Sequence, residues 1–214
     1  MNLILFDDTS WENLLPLTFT RPVCDLRIGI LTIAGKWEKA LGSPPSYITQ
    51  SHLASKYPLT TAADNLLVNG SLLPDDQLVG RIRKMPGNSA LRKDEILLAV
   101  RTGKSEAAAF DTDHWLDRAS LYKEAISRVD QLWKLFTLNG QEIHADLERV
   151  TSGRKGEQPG KTVRIIGPGR VFIEEGFKGE DITLNTCTGP IYLGKDSEIM
   201  EGSVIRGPFA LCEG

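Results

Sequence analysis

The chain has 214 residues, 41% of them hydrophobic, and a formal net charge of −3. That is enough apolar material for one large domain, or one domain with an appendage. The charge gives no general attraction for nucleic acid or an anionic membrane, no stretch is long and apolar enough to span a bilayer, and the amino terminus lacks the basic region of a signal peptide.

Leu3-Ile4-Leu5-Phe6 predicts a short buried strand, ended by Asp7-Asp8. In the run LLPLTFTRPVCDLRIGILTIAGKWEKAL, Pro16 and Pro22 forbid a continuous helix. From Gly29 to Leu41, the apolar positions Ile30, Ile33, Trp37 and Leu41 have helical spacing, and Gly42-Ser43-Pro44-Pro45 stops that helix. Tyr47-Ile48-Thr49 predicts a second strand, and His52 to Tyr57 a short helical or irregular piece. Asn65 to Gly70 predicts a buried strand ending in a turn, Pro74 to Ile82 a helix begun by Pro74 and Asp75-Asp76, and Glu95 to Arg101 another strand. This alternation of strands and helices argues for an α/β layer with a mostly parallel sheet. Leu121 to Phe136 predicts a further helix, closed by Asn139-Gly140.

Residues 151–162 are polar and glycine-rich and predict a linker between a domain of residues 1–150 and a second region, residues 163–214. Ile165, Val171 and Ile173 lead into that region, where Leu193, Ile199, Ile205 and Leu211 recur every six residues. Neither a helix nor an ordinary strand has that period. Short strands turning around a three-sided prism do, with one aliphatic side chain pointing inward per face. Three hexads complete one coil, so Leu211 is expected directly above Leu193. Ser197 and Ser203 sit in phase where a small residue fits the corner. A terminal coil needs a cap, so the end of the run at Gly214 is expected to mark a fragment of a longer protein, or an end covered by a partner.

Cys24, Cys187 and Cys212 are odd in number and widely spaced, which argues for free thiols in a reducing cytoplasm rather than a disulfide framework or zinc motif. His52, His114 and His144 lie in unrelated contexts and support neither a hydrolase nor a zinc site. Asp111-Thr112-Asp113-His114 reads as a helix cap, with cation binding as the alternative.

Three segments, Leu14–Leu41, Leu66–Gly70 (LLVNG) and Gly189–Gly214 (GPIYLGKDSEIMEGSVIRGPFALCEG), carry a family resemblance. The chain resembles the bifunctional UDP-N-acetylglucosamine diphosphorylase/glucosamine-1-phosphate N-acetyltransferase family, in a divergent branch found in Bacteroidetes. The resemblance implies a Rossmann-like nucleotidyltransferase-type α/β domain, followed by the first coils of a left-handed parallel β-helix. It further implies a cytoplasmic enzyme, assembled as a homotrimer through the β-helix, that joins a nucleoside triphosphate to a sugar 1-phosphate with magnesium. Acetyl-CoA would be used only by later coils, in a longer protein.

Many negative charges meet in such a reaction, so the site needs metal, cationic side chains and N–H donors. Ordinary members place a glycine-rich loop with an arginine after the first strand, then a lysine, and a metal-binding aspartate at the end of a central strand. Here Asp7-Asp8-Thr9-Ser10-Trp11-Glu12 replaces the loop. Arg21, in Thr20-Arg21-Pro22, is therefore the expected phosphate-contacting cation, with Arg27 and Lys36 next; the alternative for Arg21 is a structural pair with Asp25. Asp7, Asp8, Thr20, Asn69 and Gly70 are expected at the nucleotide. Asn69, helped by Asp75 or Asp76, is expected at the metal. Asp7-Asp8 also reads as a solvated turn, and Asn69-Gly70 as a generic one. A catalytically degenerate domain, acting as a sugar-nucleotide sensor or scaffold, is the alternative to an enzyme.

Overall fold

The structure, a computed structural model, describes residues 1–213; Gly214, the last residue of the unfinished hexad, lies outside them. The chain divides into two compact units, one of Met1–Leu26 with Thr32–Lys134, the other of Arg27–Leu31 with Leu135 onward.

In chain order, β1 (Asn2–Phe6) is followed by α1 (Ser10–Asn13) and two short 3-10 turns, then β2 (Arg27–Ile28), β3 (Leu31–Thr32) and α2 (Ile33–Leu41). Helix α2 starts later than the apolar spacing predicts. Thr32 accepts a hydrogen bond from the Gly35 N–H at 3.0 Å and caps the helix there, leaving Ile30 outside it. Gly42 ends it in the left-handed region, at φ 74°. β4 (Pro45–Ile48), β5 (Asn65–Asn69) and β6 (Leu72–Leu73) come next, then α3 (Asp76–Arg83), capped by Asp75.

β7 (Ser89–Lys93) and β8 (Ile96–Thr102) form a hairpin, followed by α4 (Lys104–Ala108) and α5 (Thr112–Leu116). Asp111 caps α5, accepting from the Asp113 and His114 N–H groups. β9 (Ser120–Leu121) and β10 (Ser127–Arg128) then occupy the stretch whose spacing predicts a helix from Leu121 to Phe136. That expectation is corrected. Leu121 is drawn to the sheet edge opposite Arg92, Arg128 pairs with Leu72, and only Leu132–Thr137 (α6) is helical. Asn139-Gly140 does not close a helix but opens the longest one, α7 (Asn139–Thr151).

The main sheet has the order β4-β1-β5-β8-β7-β9. β1 lies parallel between β4 and β5, whereas β8 runs antiparallel to both β5 and β7. β5 is buried along its whole length. Ile4, Phe6, Leu67, Leu97, Val100 and Trp115 share one apolar cluster.

In the other unit, β11 (Arg164–Ile166), β12 (Val171–Ile173), β13 (Lys178–Gly179), β14 (Thr183–Asn185), β15 (Ile191–Leu193), β16 (Glu198–Ile199), β17 (Val204–Arg206) and β18 (Phe209–Leu211) build three small parallel sheets: β11-β14-β17, β12-β15-β18 and β13-β16. The hexad aliphatics visit the sheets in turn, Leu193 on β15, Ile199 on β16, Ile205 on β17 and Leu211 on β18. Leu193 pairs with Leu211, as the six-residue period predicts. These side chains share one core with Ile173, Ile182, Leu184 and Ile191. Ser197 is buried, and its hydroxyl donates to the Gly194 carbonyl at 2.6 Å.

Helix α7 belongs to this unit. Its Leu147 and Val150 pack with Ile30, Phe172 and Tyr192. Its buried Asp146 accepts from the Ile30 and Leu31 N–H groups at 3.0 and 3.1 Å. Gly29 is needed there, because a Cβ would lie 2.6 Å from Asp146 Oδ2. The three cysteines form no disulfide.

Candidate functional site

β1 and β5 are parallel neighbours, and Phe6 and Asn69 are paired at their carboxyl ends. Ligands of α/β sheets settle beyond such ends. A pocket of about 430 Å³ opens there, lined by Asp7, Asp8, Trp11, Asn69, Leu97 and Arg128, with Glu12, Gln50, Glu95, Thr112 and Asp113 among the other residues around it.

The floor is a hydrogen-bonded set. Asn69 donates through Nδ2 to Asp8 Oδ2 at 2.8 Å and to the Leu97 carbonyl at 3.1 Å. Its Oδ1 accepts from the Ser71 N–H and hydroxyl at 3.0 and 2.7 Å. Asp8 Oδ1 accepts from the Ser10 N–H at 2.9 Å and from the Ser10 hydroxyl. Arg128 donates from Nη2 to Asp8 Oδ2 at 2.9 Å. Burial works against the charge on Asp8, but the Arg128 guanidinium, with the Asn69 and Ser10 bonds, outweighs it and holds the carboxyl below its ordinary range.

Asp7 is in a different state. Its Oδ1 accepts from the Val23 N–H at 2.9 Å and its Oδ2 from the Thr49 hydroxyl at 2.6 Å, but it has no ion-pair partner among the described residues. Burial pushes its pKa up to about 6, against those two bonds and with help from the negative charge of Asp8. Trp11 forms a fixed wall: its indole N–H donates to the Thr18 carbonyl at 3.1 Å, and the Thr18 hydroxyl donates back to the Trp11 carbonyl at 2.8 Å.

Of the residues expected from sequence, the fold brings Asp7, Asp8 and Asn69 together at this pocket. Gly70 adjoins it, but its N–H is committed to the Phe6 carbonyl at 2.8 Å. Its Cα passes so close to Cys24 that a Cβ would lie 3.2 Å from the Cys24 Cβ. Thr20 and Arg21 are exposed and do not line the pocket. Arg21 does not take Asp25 as its partner; Asp25 accepts instead from the Tyr57 hydroxyl at 2.8 Å. Lys36, on α2, is fully buried and engaged in the interior. Arg27 belongs to the other unit, where it donates to the Ile30 carbonyl.

Asp75 spends one oxygen on the Leu78 N–H at 2.8 Å, Asp76 lies in the first turn of the same helix, and neither lines the pocket. Asn69 has its oxygen on Ser71, so its amide is not free to turn toward a cation without breaking both bonds. Arg128 escaped the sequence reading because its stretch has helical spacing. Nothing local shows that β10 will pair with β6 and turn this arginine toward the end of β1.

Among the described residues, no three His, Cys, Asp or Glu side chains converge to hold a metal ion. The donor set is not a complete protein cage. It does fit an ion that arrives with a polyphosphate, because magnesium commonly takes one or two carboxylates and completes its shell from phosphates and water. Asp7, lining the pocket without a counter-charge, is the carboxylate so placed.

A sequence profile described as sugar nucleotidyl transferase matches residues 3–155, most of the chain and all of the elements that build this pocket. No curated protein matches the chain.

Proposed function

We propose that this chain, which belongs to the sugar nucleotidyl transferase family, joins UTP to N-acetylglucosamine 1-phosphate, forming UDP-N-acetylglucosamine and pyrophosphate. The observation that carries this reading is the placement of the Asp8–Asn69–Arg128 set and of Asp7 at the paired ends of β1 and β5, inside the matched region. A sugar-phosphate oxygen attacks the α-phosphorus and the bond to the pyrophosphate oxygen breaks. The chain's part is to hold the reactants in line and to meet their charge with fixed donors. Magnesium bound at Asp7 would neutralise phosphate charge. Trp11 offers a flat apolar wall to a base or sugar ring, and Gln50 and Thr112 offer polar contacts.

For the other unit, the proposal is that the three parallel sheets are the first coils of a left-handed β-helix. The Leu193–Leu211 pairing and the rotation of the hexad positions among the sheets support the coil, and its left hand is taken from the family resemblance. In a longer cytoplasmic protein, further coils would carry acetyl transfer from acetyl-CoA and assembly as a homotrimer.

The test is pyrophosphate release by the folded chain with magnesium. UTP and dTTP are each offered against N-acetylglucosamine 1-phosphate, glucosamine 1-phosphate and glucose 1-phosphate. Turnover with UTP and N-acetylglucosamine 1-phosphate is expected, and turnover with another pair alone would reassign the substrates. A second reading, binding without turnover, is favoured by the carboxylates around the pocket and the lack of a glycine-rich loop after β1. Silence across the whole panel from folded protein would select it.

A further inference from the structure

We propose that Arg128 is the residue that contacts the polyphosphate in this pocket, and that Asp8 is its positioning residue. The inference rests on the nucleotidyltransferase reading for the chemistry of its ligand. Among the described residues, Arg128 is the one cation that lines the pocket. Its side chain is only 10% exposed, yet among the described residues its guanidinium makes a single hydrogen bond, from Nη2 to Asp8. Nε is buried and makes none; Asp130 Oδ2 stands 3.7 Å away, close enough for ionic attraction but too far for a bond. A guanidinium carries five N–H donors in a planar fork suited to phosphate oxygens. A buried arginine with most of that fork unspent, at the wall of a pocket, is poised for an anion.

The charges around it support the same reading. Asp130 does not cancel Arg128 alone, because its Oδ1 is paired with Lys134 Nζ at 2.6 Å. Asp8, Arg128, Asp130 and Lys134 therefore form an alternating row of two carboxylates and two cations, neutral as a whole. An anion arriving at Arg128 meets a fixed guanidinium in a row that is neutral only as a whole. Asp7, which lines the pocket without an ion-pair partner among the described residues, adds a negative charge that a magnesium ion arriving with the polyphosphate would offset. Glu95, with its side chain 90% exposed, and the exposed Glu12 and Asp113 oppose that anion only through water and salt. Asp8 is locked by Ser10 and Asn69, so it sets the plane of the guanidinium before any ligand arrives.

Inorganic pyrophosphate is the probe, titrated calorimetrically into the folded full chain with magnesium in the buffer. Wild-type protein is expected to bind it, and Arg128→Gln to weaken binding about tenfold or more, the size of a lost charge-assisted contact. Arg128→Lys is expected to recover only part, since it restores charge but not the fork. Asp8→Asn turns an amide N–H onto donors that now meet a carboxylate, frees the guanidinium from its fixed plane and is expected to weaken binding severalfold; that loss should vanish when Asp8→Asn is added to Arg128→Gln. A merely structural Arg128–Asp8 pair would lower the melting temperature in each variant without this coupling in affinity.

No binding by folded wild-type protein, or equal binding by folded Arg128→Gln, overturns the proposal. Should Arg128→Gln fail to fold, Asp8→Asn decides, and unchanged affinity there overturns it equally. Arg128-dependent pyrophosphate binding in a chain that turns over no substrate pair would leave this inference standing and end the transferase reading. Turnover undiminished in Arg128→Gln would do the opposite.

Discussion

Asp7 and Asp8 are adjacent in sequence and opposite in electrostatic condition. Asp8 has Arg128 and keeps its charge below the ordinary carboxyl range; Asp7 has only neutral donors, and burial raises it from 3.8 to about 6. The folded state thus holds the Asp7 proton more tightly than the unfolded chain does. Its contribution to stability is fully present below pH 3.8 and is lost as pH rises through about 6. At neutral pH the charged group costs roughly 2–3 kcal/mol at most, since each pKa unit is worth about 1.4 kcal/mol. Asp7→Asn keeps an acceptor for the Val23 N–H and removes that cost. It should melt higher than wild type at pH 7, with the difference shrinking toward pH 4, and should lose turnover if Asp7 holds the metal. Thermal melts between pH 4 and 7 check the first part; a gap independent of pH would mean that Asp7 is not the titrating group.

At the scale of elements, local signals and long-range pairing divide the chain between them. Helix α3 is written locally: Asp75 caps it through the Leu78 N–H. Asp75→Ala should cost about 1 kcal/mol, read as a lower urea midpoint at unchanged slope. The segment Gly29–Leu31 is different, because its conformation exists to meet α7. Gly29 has φ +76°, and a Cβ there would lie 2.8 Å from the Glu142 carbonyl carbon as well as striking Asp146. Gly29→Ala should therefore destabilise by more than about 1 kcal/mol. A hydrogen-exchange map should show the loosening in α7, and protection in α7 equal to wild type would rule this coupling out. The period across Leu121–Phe136 suits a helix, yet Leu121, Trp133 and Phe136 are exposed while Val129 is buried. Edge pairing to β7 and β6 replaced the helix, and helical spacing cannot encode a choice between hydrogen-bond partners far apart in sequence.

At the scale of the molecule, each compact unit has its own core. In the second, Leu193 is fully buried among the aliphatics of three sheets. Leu193→Ala should cost about 2–5 kcal/mol, measured by chemical denaturation; a loss well under 1 kcal/mol would mean that the sheets do not share one core. This unit also takes in α7 and the excursion Arg27–Leu31, which separates Leu26 from Thr32 within the other unit. A composition shift marks a polar stretch, but it does not report which helix packs with which sheet.

By itself the sequence determined the α/β character, the strands β1, β5 and β8, the Asp111 cap of α5, and the six-residue pattern that places Leu211 over Leu193. These are local properties: alternation, capping and a short period are set by residues a few positions apart. It also marked Asp7, Asp8 and Asn69, because strand ends are legible and polar residues just past them stand out. The tertiary structure alone decided that β8 runs antiparallel to β5, that Asp146 clasps Ile30 and Leu31, and that Asp8 keeps its charge while Asp7 resists it. It alone brought Arg128 to Asp8 across most of the first unit. Those outcomes depend on distance through space, and both the energy of a buried charge and the partner of a strand edge are fixed only when remote segments meet.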